Sequence, residues 1–280
     1  LDMGKHSHLF GTPKAMDDAE IAELIERFAT SAQLAEQAGF NGVQIHAAHG
    51  YLISQFLSPL TNRRTDQWGG SLENRARLLC EVIRAVRARV SPGFAVAVKI
   101  NSADFQRGGF DSADALATLK LLNELQVDLL ELSGGSYESP AMQGRTTDGR
   151  TLAREAYFLE FATQLAKQAR MPLMTTGGIR RRAVAEQVIA EGVGIAGMAT
   201  ALTIIPDLPA RWRAGEDSEA NLPPVNWSDK TLSALATMSV IKRQLRRLGA
   251  RRNSKPNASP LLSLILDRLR VKHLTGRYRE

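Results

Sequence analysis

The chain has 280 residues, 44% of them hydrophobic, which is enough for one large core or two small ones. It has no apolar run of about 18 residues that could form a membrane-spanning helix, and its lone Cys80 excludes a disulfide framework and a thiolate-held zinc or iron–sulfur site within the chain. The net charge of +7 divides into +10 over residues 225–280 (13 Lys and Arg against 3 Asp and Glu) and −3 over residues 1–224 (23 against 26), so the body lacks the basic patch of a nucleic-acid enzyme.

Short apolar segments alternate with segments of helical spacing along most of the chain. Residues 17–39 have apolar side chains at helical spacing and end at a glycine, which predicts a helix, and NGVQIH at 41–46 predicts a strand. The later predicted helices are 72–90, 112–125, 154–169 and 182–191, and the later predicted strands are FAVAVKI, VDLLELS, PLMTTGG and GVGIAGM. Because these strands are apolar runs rather than strict alternations, they predict a parallel sheet covered by helices.

Polar residues and glycines follow the predicted strands at the points where they end: His46, Lys99, Ser133, Gly177 and Gly197. A (β/α)₈ barrel presents its active site in this way, at the C-terminal ends of its strands. The alternative is an open doubly wound sheet, but no GxGxxG motif follows the first strand. We therefore expect a TIM barrel of which about five βα units are present.

The motif HAAHGY follows the first predicted strand and leaves three interpretations open. His46 and His49 could bind a metal together with His6 and His8, but the spacing fixes no such proximity. They could be structural histidines near a strand end. They could also be two N–H donors that clamp a substrate oxygen and stabilise the negative charge that develops there.

Longer motifs carry a family resemblance, which extends over residues 11–208. The strongest is GFNGVQIHAAHGYLISQFLSPLTNRRTDQWGGSLENRARL, with VKINSADFQRGGF, LELSGGSYE and TTGGI in support. The chain resembles the Old Yellow Enzyme family of FMN-dependent ene reductases, in its bacterial NADH:flavin oxidoreductase / NADH oxidase branch. Members of that family are eight-stranded barrels. The matched segments resemble strands four to eight, so we expect this chain to be a fragment without the first three.

The resemblance implies FMN as cofactor, NAD(P)H as hydride donor and a small activated alkene as substrate. In the family, a histidine pair at the positions of His46 and His49 binds the carbonyl or nitro oxygen of the alkene. Tyr51 matches the tyrosine that protonates the α-carbon, and a phenol is protonated at neutral pH, as this role requires. No metal site is implied.

The family also implies which residues hold the flavin. Lys99 stands where a lysine or arginine contacts the flavin N1/O2 edge, and Gly177 and Gly178 match the phosphate-binding loop. The family usually has a Gly/Ala–Arg pair after strand eight, but Ala199 and Thr200 occupy those positions here. A threonine hydroxyl supplies no charge to a phosphate, so this departure predicts weaker FMN binding. The motif RRTDQWGGSLENR at 63–75 is diagnostic of the family but is predicted to tie a loop to the barrel rim.

The C-terminal part of the chain predicts a different organisation. Residues 1–215 are assigned to the FMN-binding barrel and 216–280 to a linker and basic helical tail, with a linker-like composition over 208–224. Residues 231–248 predict a helix with an apolar stripe opposite four cations, Lys242, Arg243, Arg246 and Arg247, and 260–269 is a second apolar run. The tail could pack on the barrel exterior or bind an anionic membrane surface or an acidic partner. Nucleic acid is not expected, because aromatic residues are not interleaved with the cations.

Two classes of function follow. The first is an FMN-dependent NAD(P)H oxidoreductase, cytoplasmic, that reduces activated C=C bonds. The second is a truncated, catalytically incompetent fragment, or a scaffold with a basic tail that binds an anionic surface. A barrel of five strands has two open sheet edges, so association into a homo-oligomer is also expected.

Overall fold

The computed structural model describes residues 11–136, 155–156 and 158–279, and its central feature is a sheet of five parallel strands. The strands are β1 (Gly42–Ala47), β2 (Ala95–Asn101), β3 (Leu129–Ser133), β4 (Leu173–Thr175) and β5 (Ile195–Ala196). They pair in chain order, and each neighbouring pair is parallel. The predicted parallel sheet is confirmed, although β4 and β5 are shorter than the apolar runs that predicted them.

Helices connect the strands and continue beyond the sheet. They are α1 (Asp18–Gln37), α2 (Leu52–Leu57), α3 (Leu72–Arg89), α4 (Ser112–Leu122), α5 (Leu159–Ala166), α6 (Arg182–Ala190), α7 (Thr200–Ile204), α8 (Leu208–Arg213), α9 (Lys230–Gly249) and α10 (Pro260–Arg279). The predicted helix before the first strand corresponds to α1, and the four predicted between the strands correspond to α3, α4, α5 and α6. The helix predicted at 154–169 begins only at Leu159, and residues 154 and 157 lie outside the described part of the chain.

The two faces of the sheet differ in chemistry because successive strand residues point to opposite sides. One face is apolar and fully buried beneath helices, and it includes Val98, Ile100, Leu130 and Leu132. The other face carries polar side chains in register, because His46 pairs with Lys99 and Lys99 pairs with Glu131. The polar face is the one that can bind a ligand.

The motif at 63–75 ties a long loop to its surroundings, as predicted. Asp66 accepts hydrogen bonds from Arg64 Nε at 3.0 Å and from the Trp68 N–H at 3.0 Å. The indole of Trp68 donates to Asp18 at the start of α1, at 2.9 Å. Asn74 donates to the Gly69 carbonyl at 3.1 Å. These bonds give the motif a structural role.

The described residues form two compact units by their internal contacts. The first comprises the sheet and its helices, up to residue 177 and from 186 to 197, and the second comprises 178–185 and 198–280. In the second unit Leu208 and Trp212 are buried together with Ala201 and Ile204. The interpretation of 208–224 as a linker is therefore wrong at its start, where α8 packs into a core. The assigned boundary at 215 stays a prediction.

Helices α9 and α10 pack against each other within the second unit. The carboxylate of Asp267 on α10 accepts from Lys242 at 3.1 Å and from Arg246 at 2.8 Å on α9. The predicted helix at 231–248 is confirmed by α9. Its apolar stripe is largely exposed to solvent, since Met238 and Leu245 are 42% and 53% exposed. Among the described residues no helix is long and apolar enough to cross a membrane. Binding of the tail to an anionic surface stays a prediction.

Candidate active site

The HAAHGY segment places its three chemically active side chains together. His46 lies in β1, and the chain then turns through two residues with left-handed backbone, His49 (φ 65°) and Gly50 (φ 75°). Tyr51 follows as the residue before α2. The ring centroid of His46 lies 5.0 Å from that of His49 and 5.1 Å from that of Tyr51. The tight turn thus brings together residues from a strand, a loop and a helix start.

His49 is held by both its backbone and its ring. Its backbone N–H donates to Asn101 Oδ1 at 3.1 Å, and its Nε2 lies 2.7 Å from the Ser133 hydroxyl. Burial, followed by the neighbouring His46 and the charge of Lys99, lowers the pKa of His49 to about 4. Its imidazole is therefore neutral at pH 7 and has one N–H to donate.

His46 is also kept neutral. Its pKa is lowered mainly by burial and then by the positive charge of Lys99, while the carboxylate of Glu131 acts in the opposite direction. Both histidines are therefore neutral hydrogen-bond donors rather than cations near pH 7. A neutral imidazole stabilises developing negative charge on an oxygen through the hydrogen bond from its one N–H.

Lys99 is paired with a carboxylate that the sequence analysis did not single out. Its Nζ lies 3.0 Å from Glu131 Oε1, and the amide of Gln44 donates to Glu131 Oε2 at 2.8 Å. Glu131 is only 5% exposed, so the ion pair lies in a partly desolvated layer of the polar face. An ammonium has three donors, and this pairing uses one of them.

Replacement of Glu131 by glutamine should lower the pKa of His46 further. Glutamine keeps the shape and the hydrogen-bonding capacity, but it removes the negative charge that favours the imidazolium, while Lys99 continues to disfavour it. NMR titration of the histidine ring signals measures this pKa directly. Glu124→Gln is the matched control, because Glu124 is in an exposed pair with Arg170 and should leave His46 unchanged. A pKa equal to or above that of the parent in Glu131→Gln would contradict the assignment of cause.

The sequence profile of the NADH:flavin oxidoreductase / NADH oxidase family matches residues 2–219. The chain belongs to this family. It is 40% identical over 224 residues to the NADH-dependent flavin oxidoreductase iliE of Hypocrea jecorina, which covers 76% of this chain and 55% of that protein. It is 33% identical over 214 residues to the NADH oxidase of Thermoanaerobacter brockii, covering 76% of this chain and 32% of that protein.

Solved structures of related proteins agree with the fold. The Old Yellow Enzyme homologue from Zymomonas mobilis superimposes with a TM-score of 0.61 at 27% identity, over 75% of this chain and 57% of that one. Morphinone reductase, solved with tetrahydroNAD, gives a TM-score of 0.59 at 28% identity, over 75% of this chain and 54% of that one. The predicted resemblance and the partial TIM barrel are confirmed. The chain spans between about a third and a half of the length of the curated relatives it matches.

The cofactor of this NADH:flavin oxidoreductase family is FMN, and the donor set of the described residues fits it in part. Lys99 offers a cation on the polar face, and Gly177 (φ 118°) and Gly178 (φ 71°) both have a positive φ, which favours glycine. Gly177 lies in the first unit, whereas Gly178, Ala199 and Thr200 lie in the second. Ala199 precedes α7 and Thr200 is its first residue, and both are exposed. Their phosphate role stays a prediction.

Among the described residues, the interpretation of His46 and His49 as metal ligands finds no third ligand. Within the described ranges no group of three His, Cys, Asp or Glu side chains is placed to hold a metal ion. His6 and His8, which were considered as additional ligands, lie outside those ranges.

A cavity of about 480 Å³ adjoins the segment that carries Tyr51. Its wall includes Gly50 and Leu52, the residues on either side of Tyr51, together with Phe56 and Asp104. This volume is within the range of small-molecule sites, roughly 300–1,000 Å³. Sequence reasoning could not find it, because the residues that line it come from four separate stretches of the chain.

Proposed function

We propose that this chain is an FMN-dependent NAD(P)H oxidoreductase that reduces activated C=C bonds of α,β-unsaturated carbonyl or nitro compounds. The observation that carries the proposal is the convergence of two neutral histidines and a tyrosine, with ring centroids about 5 Å apart, at the end of β1. Family membership supports the cofactor, and the polar face with Lys99 supports the place at which it would bind.

The chain's own residues would bind and polarise the substrate. When bound, FMN supplies the hydride that it receives from NAD(P)H. The N–H groups of His46 and His49 would hold the carbonyl or nitro oxygen, where negative charge accumulates as the alkene is reduced. A preorganised donor of this kind contributes a factor of about 10²–10³ in rate, because no reorganisation is needed at the moment of reaction. Lys99 would lie against the flavin ring edge that becomes anionic on reduction.

Tyr51 would complete the reduction by donating a proton to the α-carbon. Its ring centroid lies 5.1 Å from that of His46, and this proximity to a proposed oxygen-binding donor supports the role. Tyr51 is 45% exposed, so solvent can return the proton after each turnover. General acid catalysis of this kind contributes about 10²–10⁴ in rate.

Tyr51→Phe therefore tests the proposal. In the FMN-loaded protein we expect flavin reduction by NADH to stay within about twofold of the parent, and flavin reoxidation by 2-cyclohexenone to fall by about 10²–10⁴. Anaerobic stopped-flow absorbance separates the two half-reactions. Tyr278→Phe is the control, because Tyr278 is 92% exposed on α10 and should change neither rate. Failure of the loaded parent to oxidise NADH with an enone acceptor would overturn the proposed function.

A further inference from the structure

His49 has a backbone conformation that needs support. Its φ of 65° lies in the left-handed region, which an L side chain rarely adopts. The turn from β1 into α2 depends on it, because Gly50 continues in the same region before Tyr51 returns to extended backbone. If His49 relaxed to an ordinary conformation, its ring would leave its place beside His46.

Asn101 supplies that support from the end of β2. Its Oδ1 accepts the His49 N–H at 3.1 Å. Its Nδ2 donates to Asp104 Oδ1 at 3.0 Å and to the Gly135 carbonyl at 3.0 Å. Both amide hydrogens thus have acceptors, and a flipped amide would place its NH₂ against another N–H. Asn101 is 2% exposed, so water cannot replace these bonds.

Asp104 fixes the amide in turn. It is 4% exposed, and its second oxygen accepts the Phe110 N–H at 3.1 Å, while its own N–H donates to the Phe110 carbonyl at 2.8 Å. The two bonds to Phe110 therefore fix the orientation of the Asp104 carboxylate, so that one oxygen binds Phe110 and the other accepts from Asn101. On the other side of His49, Ser133, which is in register with Asn101, contacts the ring at Nε2.

We propose that Asn101 is a positioning residue, oriented by Asp104, that locks His49 in its left-handed turn and so aims the His49 ring into the site. Asn101 acts through His49 and is not itself a catalytic residue. The hydrogen bonds that hold His49 are observed in the structure. The use of the His49 ring to bind a substrate oxygen rests on the proposed function. Loss of the lock should release the ring from its partly buried position.

The test compares four variants of the full chain by NMR. In Asn101→Ala we expect the nuclear Overhauser contacts between the rings of His46 and His49 to disappear and the pKa of His49 to rise from about 4 toward its ordinary 6.5. Asn62→Ala is the matched control, because Asn62 is also a buried asparagine with two carbonyl partners, Phe56 and Trp68, but has no bond to His49. Asn62→Ala should keep both the contacts between the two histidine rings and the low pKa of His49.

A charge-preserving swap guards against a variant that merely misfolds. Asn101→Asp combined with Asp104→Asn keeps an acceptor for the His49 N–H and reverses the 101–104 hydrogen bond, while the Gly135 carbonyl loses its donor. Because the acceptor for the His49 N–H is what holds the turn, the ring contacts should persist. Asn101→Asp alone places the carboxylates of residues 101 and 104 side by side, and their repulsion should abolish the contacts between the two histidine rings. Ring contacts that survive in Asn101→Ala, or that are lost in a folded swap variant, would overturn the lock. Lost contacts with unchanged enone turnover in the FMN-loaded protein would support the lock and contradict the proposed function.

Discussion

Replacement of both His46 and His49 by alanine is expected to abolish enone turnover in the FMN-loaded protein while leaving flavin reduction by the nicotinamide largely intact. The ring of His46 lies 5.0 Å from that of His49 and 5.1 Å from that of Tyr51, and each neutral imidazole should contribute about 10²–10³ to the rate. Alanine removes both donors at once, so the oxygen of the substrate has no partner when charge develops on it. Stopped-flow measurement of the two half-reactions is the appropriate assay.

The two single alanine variants and a surface histidine variant serve as comparisons for the double variant. Each single alanine variant should fall between the parent and the double variant, and His273→Ala, on the exposed face of α10, should behave as the parent does. A double variant that still reduces 2-cyclohexenone within about threefold of the parent would show that the pair does not bind the substrate oxygen. Equal loss of both half-reactions would instead assign the pair to flavin or nicotinamide binding.

The sequence predicted the parts of the site that lie within one short segment. His46, His49 and Tyr51 are separated by a single turn, so the resemblance of HAAHGY to a family motif was sufficient to bring them together. Glu131 was not found, because only the strand register places it beside Lys99, 32 positions earlier in the chain. The role of Asn101 was hidden for the same reason, since it depends on an amide orientation that Asp104 and Gly135 determine.

The fold shows the same division between local and long-range information. Apolar runs predicted the parallel strands, because a parallel sheet is usually covered on both faces and its strands then lack a strict alternation of polar and apolar residues. Helices α2, α7 and α8 have five or six residues, too few to show a helical period. Residues 208–224 have the composition of a linker, yet Leu208 is fully buried because α8 packs into a core that composition does not reveal.

Arg75, the last residue of the family-diagnostic motif at 63–75, is expected to contribute strongly to stability. It is 7% exposed on α3 and reaches three other segments: the Leu57 carbonyl at the end of α2, the Gly70 carbonyl at 3.2 Å, and both oxygens of Asp114 near the start of α4, at 3.0 and 3.3 Å. The guanidinium thus satisfies two carbonyls and a carboxylate around one buried point, which a lysine or an apolar side chain could not do.

Arg75→Met should therefore lower the free energy of unfolding by about 3–5 kcal/mol, since it leaves Asp114 and two carbonyls without their partner. Methionine retains most of the side-chain volume, so the loss measures the missing charge and donors rather than a cavity. Asp114 is 20% exposed and can recover some hydration, which favours the lower end of that range. Urea unfolding followed by far-UV circular dichroism gives the value. Arg84→Met, on the same helix but in an exposed pair with Glu81, should change the free energy of unfolding by no more than about 0.5 kcal/mol. Equal effects of the two substitutions would show that the bonds of Arg75 contribute no more than a surface ion pair, and that α2, α3 and α4 are held together by apolar packing alone.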